Sequence, residues 1–360
     1  MFKLKGKTIL IISNEPWGDI WYSKHNWAYE LSKQNKVFFI NSPKGWSFKH
    51  LFTNGIKIRN YSDTLRIVDY NNRLPFTRFG VLYLLNEYIV TGSLRKWFEK
   101  NKVSKTIFWS FDPYRFSNPK LLNATKSIFF RVDKFLLLSN ERRLLKNVDG
   151  LVVTAEILLK GTQSKKQLIL SHGISEEEFK YTNDVDYPSN YFLYVGNIDY
   201  RMDVELVEKL LIAFPNETFL FIGKLVNTDN DFFQNIFYRK QHKNMIIHGV
   251  EHFKNLKNYI YHSKACLAPM DVKIDGNEIH HHKSLQYLAM GKPIISPIFN
   301  DSVNKDEFIL GYTNSDEAIS RIRELDSSET KQKVKNRINF AEQFLYSNLI
   351  SKVEDFLSDK

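Results

Sequence analysis

The stretch E-I-H-H-H-K-S-L-Q-Y-L-A-M-G-K-P, Glu278–Pro293, and the apolar Ile294–Ile295 after it decide how the rest of this sequence is read. His280–Lys283 is polar and basic. Leu285, Leu288 and Ala289 then recur at helical spacing, and Gly291 with Pro293 stops the helix. A strand over Ile294–Ser296 should follow at once. The first turn of such a helix carries a lysine, a serine and backbone N–H groups that lack intrahelical acceptors. That combination attracts anions, phosphates above all. The bland alternative is an amphipathic helix that packs Leu285 and Leu288 into a core, which explains the apolar spacing but not the polar run before it.

Outward from that stretch the pattern is strand, helix, strand, repeated twice over. Thr8–Ile12 is a continuous apolar run, as expected of a strand covered on both faces. A loop S-N-E-P-W-G-D-I-W-Y follows, then a helix from Ser23 and a strand over Val37–Ile40. Leu65–Val68, Thr106–Ser110, Ser127–Val132, Val148–Thr154 and Leu168–Leu170 read as further strands, and Val81–Phe98 as a helix. Polar Tyr181–Asn190, with Pro188, reads as a linker. Beyond it Tyr191–Val195, Phe219–Ile222, Met245–His248 and Ala265–Ala268 are strands, with helices from about Asp203 and around Tyr259–Tyr261. The expectation is an α/β chain with two doubly wound parallel sheets: residues 1–180, a linker at 181–190, residues 191–328, and one C-terminal helix over 329–360 with a single apolar stripe, Val334 to Phe356.

At 360 residues the chain has room for about two ordinary domains. It is 43% hydrophobic and 25% charged, with one cysteine, Cys266, which fits a reducing compartment and a cytoplasmic location. No apolar run reaches bilayer-crossing length. Charge is uneven: residues 1–180 hold 30 Lys+Arg against 15 Asp+Glu, and the remainder 21 against 25. A basic first half suits a local anionic partner, either lipid headgroups at the inner face of a cell membrane, touched peripherally, or a phosphate-bearing acceptor, or else is a scattered solubilising charge. No nucleic-acid partner is expected, because there is no recognition helix or aromatic RNA-binding strand pair.

Two stretches resemble the family-four-like GT-B glycosyltransferases. In their donor-sugar helix, two acids separated by seven residues precede an A-x-G-K-P ending. Glu278 matches the first acid and Gln286 stands where the second is expected, while Lys283, Tyr287, Leu288, Ala289, Gly291, Lys292 and Pro293 match a subgroup pattern. Tyr194–Asp203, Y-V-G-N-I-D-Y-R-M-D, is similar to the opening of their donor-binding domain. The resemblance implies a GT-B architecture, two Rossmann-like domains facing across a cleft, with the last helix returning to the first domain. It implies transfer of a hexose, with retention, from a UDP- or GDP-linked nucleotide sugar to a glycan or lipid-linked acceptor in bacterial surface polysaccharide synthesis. No cofactor or metal is implied. An inactive GT-B protein that binds nucleotide sugar or glycan is the alternative, motivated by Gln286.

Carried over, Arg201 and Lys283 stabilise the departing diphosphate and Glu278 lies near the sugar. Gly196 makes room for the donor, with Asn197, Lys224, His282, Ser284 and Gln286 as further donor contacts. On the acceptor side, Trp17, His25, Asp112 and Asp133 follow strands and so fall at a sheet's carboxyl edge. Trp17 can stack on a sugar or simply pack its loop down. His25 can serve as a base or as a helix cap, and the two aspartates as caps. Arg201 has a rival role, pairing with Asp203. His280–His282 do not make a metal site, since three consecutive helical residues cannot face one ion. Asp229–Asp231 is a D-x-D in a polar loop, read as coincidence.

Overall fold

A computed structural model describes residues 2–358 apart from 20, 49–54, 76, 78–79, 134–138, 163, 165, 183–188, 227, 240–241, 275–281 and 299–306. The chain divides into two compact units, Met1–His172 with Tyr346–Lys360, and Gly173–Leu345.

Among the described residues the first unit holds an eight-stranded sheet in the order β3-β4-β2-β1-β5-β6-β7-β8. The strands are β1 (Thr8–Ile12), β2 (Lys36–Ile40), β3 (Lys57–Asn60), β4 (Leu65–Asp69), β5 (Thr106–Ser110), β6 (Ala124–Arg131), β7 (Gly150–Val153) and β8 (Gln167–Ile169). All pairings are parallel except β3 with β4. The central strands β1 and β5 are apolar on both faces because helices cover both sides; α1 (Ser23–Ser32) buries Trp27 against Trp109 and Phe130. Two more helices, α2 (Gly80–Lys100) and α3 (Ser139–Asn147), follow β4 and β6. β3 was absent from the sequence reading. K-I-R-N is an exposed antiparallel edge with no apolar run.

The second unit has a six-stranded parallel sheet in the order β11-β10-β9-β12-β13-β14. It is built from β9 (Tyr191–Val195), β10 (Phe219–Ile222), β11 (Met245–Gly249), β12 (Ser263–Leu267), β13 (Ile294–Pro297) and β14 (Ile309–Tyr312). Its helices are α4 (Val204–Ala213), α5 (Asp231–Phe237), α6 (Phe253–His262), α7 (His282–Ala289), α8 (Ser315–Arg323), α9 (Leu325–Ser328) and α10 (Lys331–Glu342). α7 ends at Gly291, whose φ of +70° any side chain would resist. A Cβ there would also lie 2.6 Å from Val334 of α10, and the buried Arg337 donates to the Gly291 carbonyl at 3.0 Å.

The expected single C-terminal helix is two. α10 stays in the second unit and α11 (Tyr346–Ser358) belongs to the first. Glu354 of α11 accepts from Lys3 Nζ at 2.7 Å and from the Leu4 N–H at 2.6 Å. Tyr346 packs edge-on against Trp27, and Phe356 fills the space a Cβ on Gly150 would need. The units therefore divide at His172/Gly173 and Leu345/Tyr346, where the sequence reading had set a linker at 181–190 and a boundary at 328.

Candidate functional site

In the second unit β9 is the first strand; the chain winds outward through β10 and β11, then returns to β9's other side with β12. This reversal is a topological switch point, and open α/β sheets bind ligands beyond the carboxyl ends of their strands at such points. Three neighbouring strands end there on glycines with left-handed backbone: Gly196 (φ +145°), Gly223 (φ +152°) and Gly249 (φ +91°). The Gly196 N–H donates to the Ile222 carbonyl at 2.9 Å and the Gly223 N–H to the Gly249 carbonyl at 2.7 Å. A Cβ on Gly223 would stand 1.8 Å from the Gly196 carbonyl oxygen. The following loops are knitted together. The Ile198 N–H donates to the Lys224 carbonyl at 2.9 Å, the Asp203 N–H to the Pro269 carbonyl at 2.9 Å, and the Asp271 N–H to the Arg201 carbonyl at 2.8 Å.

Helix α7 is pinned to this edge by the buried Tyr287, whose hydroxyl accepts the Val195 N–H at 3.0 Å. One turn earlier Lys283 reaches over the Tyr194 ring, with Nζ 4.5 Å from the ring centroid and 3.4 Å from its hydroxyl. The ring face attracts a cation. Tyr194 is held in turn, donating to the Asn197 carbonyl at 2.7 Å. A Cβ on Gly196 would lie 2.8 Å from the Lys283 ammonium. Gly196, Asn197 and Lys283 are thus gathered around one tyrosine, beside the first-turn N–H groups of α7. Ser284 is buried in that turn, and Lys224 is exposed on the adjoining loop.

Arg201 is held by Asp199 and not by Asp203. Its Nε and Nη2 donate to the two Asp199 oxygens at 3.0 and 2.7 Å, a fork that leaves about a third of the side chain (34%) exposed. Asp203 is committed elsewhere, capping α4 by accepting the Leu206 N–H at 2.9 Å. Gln286 Nε2 donates to Glu178 Oε1 at 2.5 Å, and Glu178 Oε2 accepts the Ser175 N–H at 2.9 Å. Glu178 was not among the candidates, although S-x-x-E at Ser175 is a legible capping box. Tyr194 was missed too, because a tyrosine inside an apolar strand reads as core. Glu278 lies outside the described residues, as does the His282 side chain. Asn230, between Asp229 and Asp231, caps α5 by accepting the Phe233 N–H at 3.0 Å. Among the described residues no three His, Cys, Asp or Glu side chains are grouped to hold a metal. Cys266 is buried and its thiol is pushed up to about 12 by burial.

Three of the first unit's candidates are engaged in packing or hydrogen bonds. Trp17 is half-buried between Phe39, Trp21 and Tyr61, with ring centroids 4.9–5.0 Å apart. Asp112 is fully buried, paired with Arg115, and accepts the Tyr114 N–H at 2.6 Å. Asp133 is exposed just beyond β6. His25 is fully buried, and both ring nitrogens are engaged. Nδ1 accepts the Tyr22 N–H at 3.0 Å, which leaves Nε2–H to donate to the Pro16 carbonyl at 3.1 Å. Of the two readings, this is the helix cap.

Burial lowers the His25 pKa from 6.5 to about 4. Between those values the unfolded chain binds more protons than the folded one, so stability falls as pH falls from 6.5 to 4. The full effect is on the order of 3 kcal/mol. His25→Asn keeps an acceptor for the Tyr22 N–H but does not titrate. It should flatten the decline in melting temperature between pH 7 and 4, and an equally steep decline would assign the sensitivity to another group.

No family model matches this sequence, and no curated protein matches it. Solved structures do. A sucrose-phosphate synthase from Thermosynechococcus elongatus is similar at a TM-score of 0.68 and 14% identity, with 97% of this chain and 98% of that one covered. The Anabaena protein Alr3699/HepE, in complex with UDP and glucose, is similar at 0.66 and 12%, covering 98% and 99%. A trehalose-6-phosphate protein from E. coli, bound with UDP-2-fluoro glucose, is similar at 0.65 and 11%, covering 98% and 100%. The fold is that of the GT-B glycosyltransferases.

Proposed function

We propose that this protein is a glycosyltransferase that moves a hexose from a nucleoside-diphosphate donor to a glycan or lipid-linked acceptor. The observation that carries the reading is the Gly196–Lys283 contact at the switch point: a cation and a helix N-terminus stand against a backbone stripped of its side chain. Breaking the bond between the sugar and its phosphate leaves extra negative charge on the diphosphate. Fixed positive groups lower that barrier because they bind the departing charge more tightly than the ground state. Lys283, the Arg201 fork and the α7 N–H groups have this role in the proposal, with Glu278 beside the sugar. The similar structures bound with UDP or UDP-2-fluoro glucose favour UDP over GDP as the donor nucleotide. We read the reaction as retaining, which the Lys283–Pro293 pattern favours. We read the acceptor as belonging to a bacterial surface polysaccharide; a lipopolysaccharide outer core galactosyltransferase is among the similar structures, at a TM-score of 0.56 and 12% identity.

The test is a panel of UDP-, GDP- and dTDP-sugars incubated with purified protein and candidate acceptors. Acceptor-dependent release of nucleoside diphosphate is expected. Tight binding without release would favour the inert alternative, for which the specific observation is that the Gln286 amide is already tied to Glu178.

We also propose that the first unit touches an anionic membrane through α2. Val81, Leu84, Leu85, Tyr88 and Ile89 form an exposed stripe at helical spacing, with Val81 72% and Tyr88 71% exposed. The same helix continues into exposed Lys96 and Lys100, with Arg95 paired to the exposed Glu99 at 3.5 Å, and the surrounding half of the chain carries an excess of positive charge. An apolar stripe continued by cations matches an anionic interface, whereas a second protein copy would gain nothing from the charge. Among the described residues no helix is long and apolar enough to cross a membrane. The protein should float with phosphatidylglycerol vesicles at low salt, and Leu84→Gln with Leu85→Gln should cut the bound fraction about tenfold. Concentration-dependent dimerisation abolished by the same pair, without flotation, would assign the stripe to a second copy instead.

A further inference from the structure

The first unit contains a cavity of about 490 Å³ that none of the sequence candidates lines. It opens at the carboxyl edge of the sheet, walled by the inner face of α2, the turn after β5 and the start of α3. Its size falls among small-molecule sites, which run to about 300–1,000 Å³ and combine apolar walls with a few fixed polar groups.

Most polar groups of the walls are already committed. Arg115 pairs with Asp112, and Glu87 accepts from the Ser117 hydroxyl at 3.1 Å. Tyr83 donates to the Tyr114 carbonyl at 2.6 Å and also stands within hydrogen-bond reach of the Glu87 carboxylate. Two side chains stand out among the described residues. Asn140 is only 6% exposed; its Nδ2 donates to the Pro113 carbonyl at 3.0 Å, and its Oδ1 is buried without a donor. Leaving such an oxygen unsatisfied is unfavourable, so the site lacks a donor that an occupant can bring. Arg143 lines the same cavity, half-buried, with no carboxylate partner among the described residues.

We infer that this cavity binds an anionic saccharide, with a sugar hydroxyl donating to Asn140 and a phosphate or carboxylate substituent meeting Arg143. The aromatic walls, Tyr83 and Tyr114 among them, suit the C–H face of a sugar ring. A guanidinium pairs with the planar or tetrahedral oxyanion in a fork. Naming this occupant the acceptor rests on the glycosyltransferase reading; the binding itself rests on the cavity.

The experiment is titration calorimetry of the whole chain with glucose 6-phosphate, glucuronic acid, glucose and inorganic phosphate, with UDP titrated in parallel. At least one charged sugar should bind tenfold or more tightly than both glucose and inorganic phosphate, and which one it is tells phosphate from carboxylate. Arg143→Gln should erase the advantage over glucose, and Asn140→Leu should weaken the charged sugar at least tenfold, with melting temperatures checked for both. Equal binding of glucose, equal binding of inorganic phosphate, no binding at all, or a preference that survives Arg143→Gln would each overturn the inference. UDP binding with no saccharide binding sinks the cavity alone. Saccharide binding in a protein that turns over no nucleotide sugar sinks the transferase reading alone.

Discussion

Replacing Lys283 by alanine should leave the second unit folded and slow sugar transfer by about a hundred- to a thousandfold, the usual cost of losing one fixed electrostatic stabiliser. The side chain lies over Tyr194 at the sheet edge, so its removal opens no core cavity. The loss should appear in kcat, because a cation aimed at the departing diphosphate acts most strongly as charge develops. Lys283→Arg should recover only part of the rate: a planar guanidinium is bulkier than an ammonium that already stands 2.8 Å from where a Gly196 Cβ would be. Arg201→Ala points the same way but also strips a partner from the buried Asp199, so Arg201→Ala with Asp199→Asn is the cleaner variant. Wild-type kcat in Lys283→Ala, measured as acceptor-dependent nucleoside diphosphate release, would remove the lysine from the phosphate site.

Gly223→Ala should be the most damaging single methyl in the second unit. The new Cβ would need a φ of +152° and a position 1.8 Å from the Gly196 carbonyl oxygen, so the backbone must move. Strain and overpacking together come to about 3 kcal/mol or more. For a unit of this size that is a fall in melting temperature of roughly 6–12 °C. Because the displaced partner is Gly196 itself, UDP affinity should fall with stability. Gly249→Ala is the control: its φ of +91° is also unfavourable, but nothing stands within 4 Å of the added carbon. It should cost less and leave nucleotide binding in place. Equal melting temperatures for Gly223→Ala and wild type would mean that the three strand ends are not wedged together as described.

The central strands could be read from sequence because burial on both faces writes itself as uninterrupted apolar runs, as in β1, β5, β9 and β10. β14 and α8 were missed: I-L-G-Y is short and carries Gly311, and α8 opens on a polar turn. The break between α10 and α11 was invisible because the apolar spacing runs on through Ala341, Leu345 and Leu349. Leu345, though in register with that stripe, instead forms a bridge with Ile174. At the candidate site, Gly196 and Lys283 were legible because their types are unusual for their positions, whereas Gly223 and Gly249 were not singled out. What faces what was not. Arg201 turned to Asp199 because Asp203 was occupied by a helix end, and Gln286 met a carboxylate 108 positions earlier in the chain. Such pairings depend on which partner another element has already claimed, and no local pattern records that.

The return of α11 to the first unit has a consequence for how the polypeptide is made. The second unit's bounding segments meet within it, with the Ile174 N–H donating to the Phe344 carbonyl at 2.9 Å. The first unit closes in part through residues at opposite ends of the numbering, with the Phe2 N–H donating to the Ser358 hydroxyl at 2.9 Å. On the ribosome, therefore, the later-synthesised unit can reach its native pairing before the earlier one does. The half translated first must leave its core beside Trp27 and Gly150 uncovered until the last turns of α11 emerge.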